Sequence, residues 1–76
     1  MIAQVYYNRF DENILSKIRV LKRMGIEVIL VKGERNLIFI NSYLVWRDDE
    51  SEDIRDAVYD VKIYELIRES YIGISS

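Results

Sequence analysis

Five of the six residues in Asp48-Asp49-Glu50-Ser51-Glu52-Asp53 carry carboxylates, the densest concentration of reactive side chains in the chain. Clustered carboxylates can bind a divalent cation, and two such ions can drive phosphodiester hydrolysis. That chemistry draws its ligands from separate elements that converge in space, whereas consecutive acids along one loop point in different directions. No Asp-x-Asp-x-Asp-Gly calcium loop is present. The run directly precedes an apolar helical pattern and therefore reads as helix capping. Asp49 and Glu52 stand at capping-box spacing, Ser51 is a rival N-cap, and the other acids suit a first turn. Neither a metal nor a cofactor is expected.

The basic residues suggest a different chemistry. Residues 1–35 hold seven Lys/Arg against four Asp/Glu, and residues 36–76 hold four against nine, within a net charge of −2. One reading is that the halves attract each other within one fold or across a dimer. The other is a surface for an anionic partner such as nucleic acid. The candidates for the second are Arg9, Lys17, Arg19, Lys22 and Arg23, on and before a first helix, with Lys32 and Arg35 flanking a hairpin at Gly33. No aromatic interleaving, Gly-rich phosphate cradle or overall basic charge accompanies them, so ordinary solvation of a surface helix is favoured.

Tyr6-Tyr7-Asn8-Arg9-Phe10-Asp11 lies where a first strand meets a first helix, a place where ligands collect in parallel βα units. One tyrosine is expected in the core and the other at the rim. Histidine, cysteine, proline and threonine are all absent. This removes disulfides, the usual zinc ligand sets and every nucleophile that needs an imidazole base. No catalytic residue is assigned, and the chain is expected not to be an enzyme.

The elements that position these residues follow from periodicity. Ala3 to Tyr7 predicts a strand. Ile14, Leu15, Ile18 and Leu21 recur at helical spacing between Asn13 and Met24, with Asp11 as N-cap and Gly25 as the left-handed stop. Ile26 to Val31 predicts a second strand. Gly33-Glu34 then suits a type II′ turn that would return Leu37 to Ile40 antiparallel, with Leu30 opposite Leu37 and Val28 opposite Phe39. Asn41-Ser42 offers a further tight turn into Tyr43 to Trp46; the alternative is one bent strand from Leu37 to Arg47. A second helix carries Ile54, Ala57, Val58, Val61 and Tyr64 on one face and is expected to run to about Glu69. Residues 70–76 are either a frayed tail or a short strand, Tyr71 to Ile74.

The expected fold is thus a small single α+β domain spanning residues 1–76. Its order is β-α-β-β-(β)-α, with two helices and a mostly antiparallel sheet of three or four strands. The first two strands, joined through a helix, should be parallel. Without the Asn41 turn and with a final strand, the order would be the ferredoxin-like split βαβ. The order also resembles a trimmed glutaredoxin-like chain, strand-helix-strand followed by hairpin-helix, though without that family's paired cysteines and proline.

Half of the residues are hydrophobic and 32% are charged, which predicts a soluble globular chain. The N-terminus has no signal-peptide pattern and no apolar run approaches the length of a membrane span, so an intracellular, cytoplasmic location is expected. Twelve isoleucines, one glutamine and no cysteine resemble the profile of heat-adapted proteins, such as small proteins of hyperthermophilic archaea and their viruses. The apolar residues are too many for one copy. Both sheet faces read as apolar, one with Ile38, Ile40 and Tyr43. The second helix also carries Tyr59, Ile63, Leu66 and Ile67 opposite its main stripe. These seven residues are the expected self-association interface, and the expected function is a non-catalytic, homodimeric interaction or adaptor module.

Overall fold

A computed structural model describes residues 1–50 and 53–75. The elements run β1 (Ile2–Tyr7), α1 (Glu12–Arg23), β2 (Glu27–Lys32), β3 (Leu37–Ile40), β4 (Tyr43–Arg47) and α2 (Ile54–Ser75). The four strands form one sheet in the order β2-β1-β3-β4. β1 is parallel to β2 and antiparallel to β3, and β3 is antiparallel to β4, so the sheet is mostly antiparallel as expected.

Local chemistry accounts for α1. Asp11 is extended, and its Oδ1 accepts the Ile14 N–H at 2.9 Å, satisfying one of the free amides of the first turn. At the other end Gly25 adopts φ +76°. Its N–H bonds the Lys22 carbonyl and the Ile26 N–H bonds the Leu21 carbonyl, the paired pattern of a Schellman stop. A methyl at Gly25 would meet nothing within 4 Å. Gly25→Ala is therefore expected to cost only the left-handed backbone penalty, about 1 kcal/mol in urea unfolding, with Gly25→Asn losing less. Equal stability of all three proteins would contradict that account.

The turn at Asn41-Ser42 forms. Both residues have positive φ, 49° and 73°, as a tight hairpin between right-twisted strands requires. Asn41 also accepts the Ile2 N–H through Oδ1 at 3.0 Å, so its side chain ties the turn to the start of β1. The alternative of one bent strand is excluded. The final-strand alternative is excluded as well, since α2 continues to Ser75.

The Gly33 hairpin does not form, and this corrects the expected pairing. β1 lies between β2 and β3: Val5 pairs with Leu30 on one side and with Ile38 on the other. Gly33 is not in the left-handed region, and its N–H donates to the Tyr7 carbonyl at 2.9 Å. The segment from Gly33 to Asn36 steps across the end of β1 instead of reversing beside β2. Asn36 holds the crossing. Its Oδ1 accepts the Asn8 N–H at 2.7 Å and the Arg9 N–H at 3.4 Å, while its Nδ2 donates to the Arg9 carbonyl at 3.0 Å.

This strand order decides which faces are buried. Ala3 and Val5 face the helices, and so do their β3 partners Ile40 and Ile38. A bulge in β4, with Val45 as the extra residue, then brings Trp46 opposite Ile38 on the same face. Both helices cover this one side, and their buried residues join the strands in a single cluster that includes Ile14, Ile18, Leu21, Val58 and Trp46. Ile38 and Ile40 are therefore core residues with no exposed surface, and Tyr43 packs half-buried beside them. Ile38 and Ile40 are corrected from their assignment to an exposed interface, because β1 rather than β2 sets the facing of β3. The other side of the sheet has no helix on it. Ile29, Phe39 and Leu44 lie in one row across it, interrupted by Gln4.

Candidate functional site

The buried stripe of α2 consists of Ile54, Ala57, Val58 and Val61. The helix continues to Ser75, about 20 Å further, and the molecule measures 45 × 22 × 21 Å along its principal axes. Beyond Val61, three side-chain contacts join the helix to the sheet side among the described residues. The Asn41 Nδ2 donates to Glu65 at 2.9 Å, Tyr64 meets Tyr43 edge-on at 5.3 Å, and Arg68 reaches the Tyr43 hydroxyl at 3.4 Å. Between β4 and this helix lies an open groove of about 490 Å³ lined by Tyr43, Leu44, Val45, Ala57, Val61 and Tyr64, with Asp60 at its rim.

Tyr59, Ile63, Leu66 and Ile67 occupy the opposite side of α2 at i, i+4, i+7 and i+8, one helical stripe. Each is more than half exposed, Leu66 at 63% and Ile67 at 64%. Together they present on the order of 400–500 Å² of largely apolar surface, at the upper end of what single soluble chains leave uncovered. Lys62 borders the stripe with its ammonium 5.7 Å from the Tyr59 ring centre. These four side chains are exposed on the side of the helix where the sequence placed them.

The described residues of the acidic run do not converge. Asp48 pairs with Arg35 at 3.2 Å, Glu50 with Arg47 at 3.1 Å, and Asp49 with Arg47 at 3.8 Å. Asp53 is the residue that caps α2, its Oδ1 accepting the Arg55 N–H at 2.9 Å while its carbonyl accepts from Asp56 and Ala57. The Arg55 guanidinium hydrogen-bonds the same carboxylate, which holds the Asp53 pKa below its ordinary value of 3.8 and raises that of Arg55. The capping-box expectation for Asp49 and Glu52, with Ser51 as rival, is replaced on the Asp49 side by pairing to Arg47; Ser51 and Glu52 lie outside the described residues. Among the described residues no three carboxylates come together as a possible metal ligand set.

The seven basic residues are dispersed. Lys22 and Arg23 stand at the end of α1, near the start of β2, whereas Arg9, Lys32 and Arg35 cluster around the far end of that strand. Arg19 is paired with Glu12 and Arg35 with Asp48. Lys17 donates to Asn13 at 2.8 Å and lies over the Trp46 ring, 4.9 Å from its centre. The Arg35–Asp48 pair does link the basic and acidic halves, but at an exposed site where such pairs contribute little. At the β1–α1 junction Tyr7 stacks on Phe10 at 4.2 Å and packs against the core, while Tyr6 turns to the open face and meets Phe39 edge-on at 5.6 Å. The pit there, about 160 Å³ and lined by Asn8, Arg9, Asp11, Asn36 and Asp48, is small and polar.

Sequence reasoning missed the apolar row on the open face, in which Ile29 and Leu44 are exposed and Phe39 is half-buried, because it assigned β3 and β4 to faces through a hairpin that does not exist. Among the described residues, no helix is long and apolar enough to cross a membrane. Compared with protein-family models, with curated proteins and with solved structures, the chain matches none of them.

Proposed function

We propose that this protein is a self-associating interaction module that works by binding rather than catalysis. In this reading the outer stripe of α2 meets the same stripe of a second copy about a two-fold axis. The observation that carries it is the stripe itself: Tyr59, Ile63, Leu66 and Ile67 are aligned on a projecting helix and each is more than half exposed. Burying a Leu or Ile side chain completely is worth about 1.5–3 kcal/mol, so the stripe from two copies offers a substantial driving force. An isologous contact also needs no second surface, since the same residues serve both copies.

Ile63→Lys and Leu66→Lys test the proposal. Neither side chain touches the core, so far-UV circular dichroism should be unchanged. The mass measured by light scattering should fall about two-fold when both are introduced, because two like charges are then forced into each contact. An unchanged mass would refute the α2 contact, and a wild-type chain of 9.1 kDa at every concentration would refute self-association.

A further inference from the structure

The two edges of the sheet are unequally protected. β4 carries the Val45 bulge, which discourages pairing with another strand. β2 has no bulge. Its six residues, Glu27 to Lys32, keep unbroken register with β1 and contain no proline. Because the Gly33 N–H bonds inward to Tyr7, the odd-numbered residues of the strand face β1, and the peptide groups of Val28, Leu30 and Lys32 point away from the sheet. Beside that bare row, Leu30 is 50% exposed on the helix side and Ile29 42% exposed on the open side.

We infer that β2 pairs with β2 of a second copy, antiparallel about a two-fold axis at Leu30, joining two four-stranded sheets into one. Three features point to this occupant. An axis at Leu30 uses every outward peptide group of the strand: Leu30 bonds the partner's Leu30, and Val28 bonds the partner's Lys32, whose apolar stem lies along it. On the open side, Ile29 then stands opposite the partner's Val31.

The second feature is helix spacing. α1 lies over β1 and β2, so pairing the edges brings the two α1 helices about two strand spacings apart, ~9.6 Å. That matches the 8–10 Å between packed helices.

The third is the flank α1 would present. α1 runs opposite to β2 over nearly the same distance, ~18 Å against ~20 Å, which sets Leu30 level with the middle of the helix. Lys17 over Trp46 shows which flank faces β4; Leu15 and Arg19 lie on the other, toward the bare edge. Leu15 is half-buried yet outside the core cluster. Across the axis it meets the partner's Leu15, and Glu12 comes opposite the partner's Arg19, a complementary pair of charges.

This contact is distinct from the α2 stripe and does not depend on it. With both, each copy has two neighbours and assembly passes beyond two copies. The chain has no cysteine, so Leu30→Cys reports on the axis without background. Directly opposed residues of a hydrogen-bonded pair have Cα atoms about 5.5 Å apart, within disulfide range. Under mild oxidation Leu30→Cys should become mostly covalent dimer, while Leu44→Cys, equally exposed on the opposite edge, should cross-link at least about ten-fold more slowly. By light scattering, Leu30→Lys alone should leave pairs joined through α2, Ile63→Lys/Leu66→Lys should leave pairs joined through β2, and the three changes together should leave single chains. If Leu30→Cys cross-links no faster than Leu44→Cys, or Leu30→Lys leaves the mass unchanged, the β2 contact is refuted, whatever the α2 variants do. If only the α2 variants are without effect, the α2 contact fails and the β2 contact stands. The cysteine variant keeps the test decisive should Leu30→Lys fail to fold.

Discussion

Trp46→Ala is expected to remove about 3–5 kcal/mol of stability, the usual cost of truncating a fully buried tryptophan. Trp46 is 1% exposed and lies where β4, β3 and the two helices meet. Its indole N–H donates to the Glu50 carbonyl at 3.1 Å, and the Lys17 ammonium lies over its ring. Domains are stabilised by roughly 0.05–0.15 kcal/mol per residue, which for a chain of this size is about 4–11 kcal/mol. One truncation therefore removes a large share of the total, and a substantial unfolded population at 37 °C is the expected result. Trp46→Phe separates the contributions. It keeps most of the packing and loses the bond to Glu50, so it should cost about 1–2 kcal/mol. Urea unfolding followed by circular dichroism makes the comparison, since the only tryptophan is the residue removed. A loss below about 1 kcal/mol for the alanine variant would mean that Trp46 is not packed as described.

Asn36→Ala should be the most damaging polar substitution, at about 2–3 kcal/mol. Asn36 is the one buried polar residue among those described, and a single amide serves three backbone groups of Asn8 and Arg9. Removing it leaves those groups without protein partners and frees the segment that carries the chain across the end of β1. Asn36→Leu should be no better, because filling the volume restores none of the bonds. Hydrogen exchange at the Asn8 and Arg9 amides should rise in both variants before the core amides respond. Protection of those two amides equal to wild type would show that the crossing is held by something else.

Much of the fold was legible in the residues. The cap at Asp11, the apolar spacing of α1 and the stop at Gly25 are local features, and each is found in place. The Asn41-Ser42 turn was legible only as one of two alternatives: asparagine accepts positive φ more readily than most residues, but serine does so less, and the structure decides for the turn. The extra stripe on α2 was also visible, since four large apolar residues at helical spacing opposite a first stripe cannot all face one core.

The partner of β3 was not legible. A short segment with a glycine looks alike whether it reverses beside one strand or steps across the end of another, and a two-residue alternation does not say which neighbour a strand will choose. Pairing β3 with β2 placed Ile38 and Ile40 on the surface; inserting β1 between them buries both and turns Phe39 to the open face, where it is half-buried. The bulge at Val45 changes the facing of β4 once more, which is how Trp46 and Tyr43 both come to point at the helices.

By itself, then, the amino-acid order determined the presence of the two helices and the strands, the cap and stop of α1 and the surplus of apolar side chains. Those features depend on backbone preference, capping and spacing, which act over a few neighbouring residues. Only the tertiary structure decided the strand order, the buried face of the sheet and which edge stays bare. These depend on contacts between residues far apart in the chain, where a strand's outcome is set by the neighbour that reaches it, not by its own pattern.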